Sequence, residues 1–164
     1  MLRYNSVTAT IIQFLQEIGL TVQIGQIDGE TFVPGIEIDH GTLLVDEAKL
    51  SYPGDLLHEA GHLAVKSRDE RQQVHLDAGS DAAEEMSAIA WSYAALVHLH
   101  LPPEVVFHSD GYRGGSQSLI ENFTQGHTFG VPMLQLFGMT ADQRQAAELG
   151  IEPYPHMLQW LRDN

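Results

Sequence analysis

Apolar residues near the start of the chain recur at helical spacing, with Val7, Ile11, Phe14, Leu15 and Ile18 on one face. Residues 5–18 therefore read as an amphipathic helix, capped by Asn5 or Ser6 and ended by Gly19. The period then shortens to two. In TVQIGQI, residues 21–27, Val22, Ile24 and Gln26 share a side, and the β-branched content favours a strand. Asp28-Gly29 marks a turn, and residues 32–38 form a second extended stretch. Asp39-His40-Gly41 is a hairpin connection from there into residues 42–45. The expectation is a small antiparallel or mixed sheet with one face buried against helices.

From residue 50 onward the helical period dominates. Leu56, Leu57, Ala60, Leu63 and Ala64 form a core-facing stripe within residues 50–65, and Pro53 suits an early helical position. Gly61 costs about 1 kcal/mol relative to alanine inside a helix, so its presence points to a neighbouring element that needs the space. Residues 66–77 are polar and read as a partly helical surface connection. The run DAAEEMSAIAWSYAALVHLH, residues 81–100, is apolar on nearly every side after Glu85, as in a central helix packed on several faces. Pro102 and Pro103 end it. Beyond residue 104, SQSLIENF, GVPMLQLFGM and MTADQRQAAEL read as short helices, the last capped by Thr140, and PHMLQWLRDN closes the chain. The predicted class is α+β: a small N-terminal β-sheet packed on a mainly helical core, one domain over residues 1–164.

Composition narrows the partners. The chain has 164 residues, 43% of them apolar, enough for a substantial core. Its 22 acidic and 8 basic residues give a formal charge of -14, which repels phosphate backbones and anionic membranes. No nucleic-acid or membrane partner is expected. With no cysteine there is neither a disulfide framework nor a thiolate nucleophile. The first fifteen residues carry one basic residue and a broken apolar run, a poor match to a secretory signal, so a cytoplasmic protein is expected.

The chemistry lies in the helix at residues 50–65. His58, Glu59 and His62 form H-E-x-x-H. On a helix the two histidines are about 40° apart around the axis, so both rings can reach one ion. Zinc suits such a site, since it accepts neutral imidazole and tolerates an open fourth position. Glu59, about 100° from His58, is placed to take a proton from a water activated by the ion. A catalytic zinc normally has a third protein ligand. The helix beginning near Asp81 offers Glu84 and Glu85, 22 and 23 residues after His62. If Asp81 is the N-cap, Glu84 completes a capping box, while Glu85 continues into a face with Ile89, Ser92 and Leu96. A carboxylate on that face needs a compensating cation, which favours Glu85 and leaves Glu84 as the alternative. A cap at Ser80 would weaken that argument.

With these residues the chain resembles the zincin metallopeptidases, in particular the glutamate-liganded gluzincins. His58-Glu59-Ala60-Gly61-His62 matches the helix motif, Glu85-Met86-Ser87-Ala88 resembles their E-x-x-A, and Glu84-Glu85-Met86-Ser87 resembles E-x-x-S. The first glutamate of that second motif is the family's ligand, so the resemblance alone does not choose between the two. An aspartate or asparagine often follows it in the family, whereas Ile89 or Ala88 stands here. The short chain and leading sheet are also similar to compact intracellular bacterial zincins acting on regulatory proteins. The resemblance covers residues 50–92.

FHSDGYRGG reads as a Gly-rich loop. Tyr112 or His108 could donate to a developing oxyanion, and Arg113 could grip a substrate carboxylate; an exposed polar turn is the bland alternative. His127 is a weaker candidate of the same sort. His98 and His100 lie about 200° apart on their helix and do not share an ion. Trp91, Tyr93 and Trp160 read as core aromatics, and the serines have no visible His/Asp partnership. The resulting expectation is a zinc-dependent hydrolase that cleaves a peptide or protein segment, with pairing against residues 42–45 as one mode of substrate binding. The alternative is a zinc-binding interaction or regulatory module of the same fold without turnover.

Overall fold

A computed structural model describes residues 2–77, 79 and 81–164 of the chain. The side chain of Asn5 and the alternative cap Ser80 lie outside the described residues. Seven α-helices and a three-stranded mixed sheet are present among the described residues, an α+β arrangement.

Helix α1, Leu2–Glu17, begins earlier than a cap at Asn5 or Ser6 would allow. It buries Ile11, Ile12, Phe14 and Leu15, and Gly19 in the left-handed region follows its end. The chain then enters β1, Val22–Ile24, which runs parallel to β3, Thr42–Val45. Strand β2, Ile36–Asp39, pairs antiparallel with β3, giving the order β1-β3-β2. The β2–β3 connection is a two-residue turn with His40 and Gly41 both at positive φ, as a tight hairpin of the right twist requires. Val22, Ile36, Ile38, Leu43 and Val45 are buried from this sheet.

Three expectations about the sheet change. Ile24 does not share the buried side of Val22 and is 62% exposed, because β1 ends there. The stretch at residues 32–38 is a strand only from Ile36, since Pro34-Gly35 turns the chain and Phe32 is exposed. Finally, β3 is the central strand with both edges paired, so no substrate strand can be added to it.

Asp46 closes the sheet region. Its buried carboxylate accepts hydrogen bonds from the amides of Ile27 at 3.0 Å and Ala48 at 3.1 Å. Those amides hold the group below the usual aspartate range: Ile27 contributes most, burial opposes it, and Ala48 and the charge of Lys49 add to the lowering.

Helix α2, Gly54–Ala64, carries H-E-x-x-H, with Pro53 in the position that caps it. Its inner face packs against α4, Ala82–His98, more extensively than any other pair of elements. Gly61 makes this approach possible: a methyl group there would lie 2.9 Å from the carbonyl oxygen of Ala88 and 3.3 Å from Oγ of Ser92. Between these helices runs α3, Arg68–Gln73, which starts in a complete capping box of Ser67 and Glu70. The carbonyls at the end of α2 are satisfied from elsewhere in the chain. Arg71 Nε donates to Leu63 at 2.9 Å, the Arg162 amide to Ala64 at 2.9 Å, and Arg162 Nη1 to Val65 at 3.2 Å.

A 3₁₀ turn, Pro103–Val105, follows α4, and the short helices α5, Ser116–Thr124, α6, Val131–Leu136, and α7, Gln143–Leu149, complete the helical layer. Asp142, not Thr140, caps α7, accepting from Gln145. Thr140 is buried and donates to the His156 carbonyl at 2.8 Å instead. The closing residues 150–164 are irregular and lie back on the core, with the Trp91 indole donating to the Trp160 carbonyl at 2.9 Å.

Two outcomes follow from this packing. Gly61→Ala gains about 1 kcal/mol of helix propensity, but overpacking against a backbone carbonyl costs about 1–3 kcal/mol. The melting temperature is expected to fall, and a rise would show that α2 and α4 do not meet at Gly61. Asp46→Asn is expected to destabilise at neutral pH, because a carboxylate depressed in the folded state stabilises it above its unfolded value. That contribution disappears as pH falls through the folded value, so melting curves of the two proteins should converge in acid. An undiminished gap at the lowest pH would contradict the assignment.

Candidate metal centre

His58 and His62 are successive turns of the same α2 face, and their rings meet edge to face at 4.9 Å. Glu85, in the first turn of α4, lies across from both. Its Oε1 is 3.2 Å from His58 Nε2, and its Oε2 is 2.7 Å from His62 Nε2. One donor atom from each residue lies within 4.8 Å of the others, so the three form a group that can hold a metal ion. Imidazole sides of the site are inside the protein, while Glu85 is 42% exposed and leaves it open to solvent. Glu85 is therefore not the core carboxylate that the face of Ile89, Ser92 and Leu96 suggests. It stands at the rim of the core, where the histidines compensate it.

Glu84 occupies a different place. Asp81 caps α4, accepting from the amides of Ala83 at 2.8 Å and Glu84 at 3.1 Å. The Glu84 carboxylate does not turn back to complete a capping box. It bonds His62 Nδ1 at 3.1 Å and pairs with Lys66. The carboxylate beside Nδ1 of His62 is thus that of the glutamate next to Glu85, which orients the ring from behind.

This arrangement tests whether a metal fits. A neutral imidazole carries one proton and cannot donate from both nitrogens, yet each nitrogen of His62 faces a carboxylate. Two states satisfy the geometry: an imidazolium, or a neutral ring with its proton toward Glu84 and a cation taking the Nε2 lone pair. Burial alone would lower the affinity of His62 for a proton, but the bonds to Glu85 and then Glu84 outweigh it and raise it. Glu85 is held far below the usual carboxylate range by the bonds to His58 and then His62, against the effect of burial. Ligands at tetrahedral zinc distances sit about 3.3 Å from one another; the 3.2 Å separation to Oε1 is of that size, and the 2.7 Å one, to the other oxygen Oε2, is a hydrogen-bond distance that a shared ion would replace. The donor set and its spacing fit a divalent ion. His58 differs from His62 in one respect: its Nδ1 is buried and has no hydrogen-bond partner among the described residues.

Glu59 lies half-buried beside this group. Desolvation raises its pKa, with the neighbouring charges of His58 and His62 pulling the other way. Tyr112 also approaches the group, its ring edge to face with His58 at 5.4 Å. Burial pushes its hydroxyl far above the usual tyrosine range, helped by the charges of Asp55, Glu85 and Glu59, so the phenol stays protonated and can donate. Tyr112, Arg113 and Gly114 all have positive φ, and Arg113 is exposed. Two successive non-glycine residues in that region are costly and concentrate at functional turns.

His108 has a different setting. Its Nε2 is 2.6 Å from Asp55 Oδ1, its buried Nδ1 has no partner among the described residues, and its ring stacks on Tyr52 at 3.7 Å. Tyr52 in turn bonds Asp110. Asp55 and Tyr52 escape a motif search, although Asp55 is one helical turn before His58 and the spacing could have drawn attention to it. An apolar cleft of about 720 Å³ borders this cluster, with Tyr52, Phe107, His108, Gly114 and Ile120 among its walls; none of His58, His62 and Glu85 lines it. His127 is exposed, and His98 packs on the rings of Phe14 and Trp160.

Compared with known protein families, curated proteins and solved structures, the chain matches none. The functional reading therefore rests on the residues themselves. No helix among the described residues is long and apolar enough to cross a membrane.

The two glutamates should separate cleanly. Glu85→Gln removes the charged oxygen donor, and zinc affinity measured by competition with a chelating dye is expected to fall by more than it does for Glu84→Gln. The latter removes an outer partner, typically worth about 10–100-fold. A larger loss for Glu84→Gln would reverse the two roles.

Proposed function

We propose that this chain is a zinc-dependent hydrolase acting on a peptide or protein segment, with zinc held by His58, His62 and Glu85. The observation that carries the proposal is the convergence of the two Nε2 atoms on Glu85 with a desolvated Glu59 beside them. Zinc bound there supplies a Lewis acid that acidifies water and polarises a carbonyl.

The chain's own groups do the remaining work. Glu59 accepts the proton of the attacking water and passes it to the departing amine. Its raised pKa suits both halves of that task, because a carboxylate that binds the proton weakly would not retain it for delivery. The neutral hydroxyl of Tyr112 is a donor for the charge that develops on the carbonyl oxygen. His108, engaged by Asp55 and stacked on Tyr52, braces the wall beside Tyr112 in this scheme and is not itself the donor. Arg113 is exposed on the same turn and free to meet a substrate carboxylate.

The second reading, a metal-binding interaction module without turnover, draws support from the apolar cleft beside Tyr52 and Phe107, which none of His58, His62 and Glu85 lines.

Glu59→Gln distinguishes the two. The amide keeps the shape of the carboxylate, so zinc content should be unchanged and the melting temperature level or slightly higher, since a charge beside other acids is removed. Cleavage of a broad peptide library should fall by about 10²–10⁴-fold. Undiminished cleavage would refute Glu59 as the base, and a folded, zinc-loaded wild type that cleaves nothing would favour the module.

A further inference from the structure

A second group of metal-ligating side chains lies at the tip of the β2–β3 hairpin and shares no residue with the centre described above. Asp39 ends β2, His40 is the first turn residue, and His75 follows α3. Both histidine Nδ1 atoms converge on the same oxygen, Oδ1 of Asp39, His40 at 2.7 Å and His75 at 3.3 Å. The imidazoles stack at 4.4 Å with 24° between their planes, and one donor atom from each of the three residues lies within 4.8 Å of the others.

An adjacent Asp-His pair on a turn is ordinary. The third group is not, because it comes from a segment 35 positions later and is held there by backbone. The Gly41 amide donates to the Val74 carbonyl at 3.0 Å, and the Leu76 amide donates to the Ile38 carbonyl at 2.8 Å. Gly41 packs so closely on α3 that a methyl group would lie 2.6 Å from the Arg71 carbonyl oxygen. Each segment also holds a non-glycine residue in the left-handed region, His40 at φ 47° and Leu76 at φ 67°. That conformation is unfavourable for L-residues and persists where surrounding structure enforces it. The donors are thus placed before any ligand arrives.

We propose that Asp39, His40 and His75 form a second site for a divalent transition-metal ion, of the kind that two imidazoles and one carboxylate select: zinc, nickel or copper. All three residues are exposed, so water completes the coordination and the ion exchanges readily. The ion ties the hairpin to the segment that leads through Asp77 toward the cap of α4. Because the unfolded chain does not hold these groups together, binding stabilises the fold.

The test is zinc titration by calorimetry of the wild type, His40→Asn, His75→Gln and Glu85→Gln, each first stripped with a chelator. Asparagine tolerates the left-handed backbone at position 40, so His40→Asn should fold with a chelated melting temperature close to wild type. One zinc equivalent is expected to weaken at least tenfold in both His40→Asn and His75→Gln and to keep its affinity in Glu85→Gln. Zinc should also raise the melting temperature of Glu85→Gln, through the site that this variant retains. If every zinc equivalent binds His40→Asn and His75→Gln as it binds the wild type, the proposal is overturned. If the only equivalent is lost in those two and kept in Glu85→Gln, this site stands and the zinc reading of His58, His62 and Glu85 falls.

Discussion

One carboxylate facing two imidazoles joins the chemistry of this protein to its packing. Glu85 reaches His58 and His62 only because α4 crosses α2 at close range, and that range depends on the missing side chain at Gly61. The contact is fixed from both ends. Asp81 caps α4 three residues before Glu84, while Arg71 and Arg162 satisfy the carbonyls where α2 stops. A helix pair held in this way places three donor atoms within an ångström-scale tolerance, which a site built on loops would not achieve.

The electrostatics around that contact favour a cation. Asp55, Glu59, Glu84 and Glu85 lie on or beside the same few turns of α2 and α4, and Lys66, paired with Glu84, is the lysine that answers them. His62 gains proton affinity in spite of its burial, which registers the same excess of negative charge. A divalent ion at the Nε2 atoms would neutralise more of that excess than one proton does. The two adjacent glutamates divide the work: Glu85 faces the donor side of His62, and Glu84 holds the opposite nitrogen.

Around this centre the structure separates rigid from strained parts. The histidines stand on a helix buried in the core, whereas Tyr112 is delivered by a turn with three successive positive φ angles. That turn brings Tyr112 to His58 of the candidate metal group and Gly114 to the apolar cleft bordered by Tyr52, Phe107 and His108. The sheet contributes differently. With β3 central, its role is to bury one face and to hold the β2–β3 hairpin against the end of α3.

Local rules were enough for much of this. The change from period 3.6 to period 2 and back predicts α+β, and His58, Glu59 and His62 share a helix face whatever surrounds them, because four residues make a little over one turn. Asp39-His40-Gly41 announces a tight hairpin for an equally local reason: its turn needs two residues at positive φ. Strand order was not legible, since which edge β1 joins depends on contacts 21 residues away. The capping of α7 by Asp142 in place of Thr140 was decided when Thr140 found the His156 carbonyl, a partner invisible to local spacing. The glutamates show the division most clearly. A capping box and a metal ligand are both consistent with Glu84-Glu85 as a string, and only the crossing of α4 over α2 turns one carboxylate toward Nε2 and the other toward Nδ1. Tertiary structure alone also brought His75 to His40, because their encounter requires the backbone of α3 to dock on a hairpin tip 35 residues earlier in the chain.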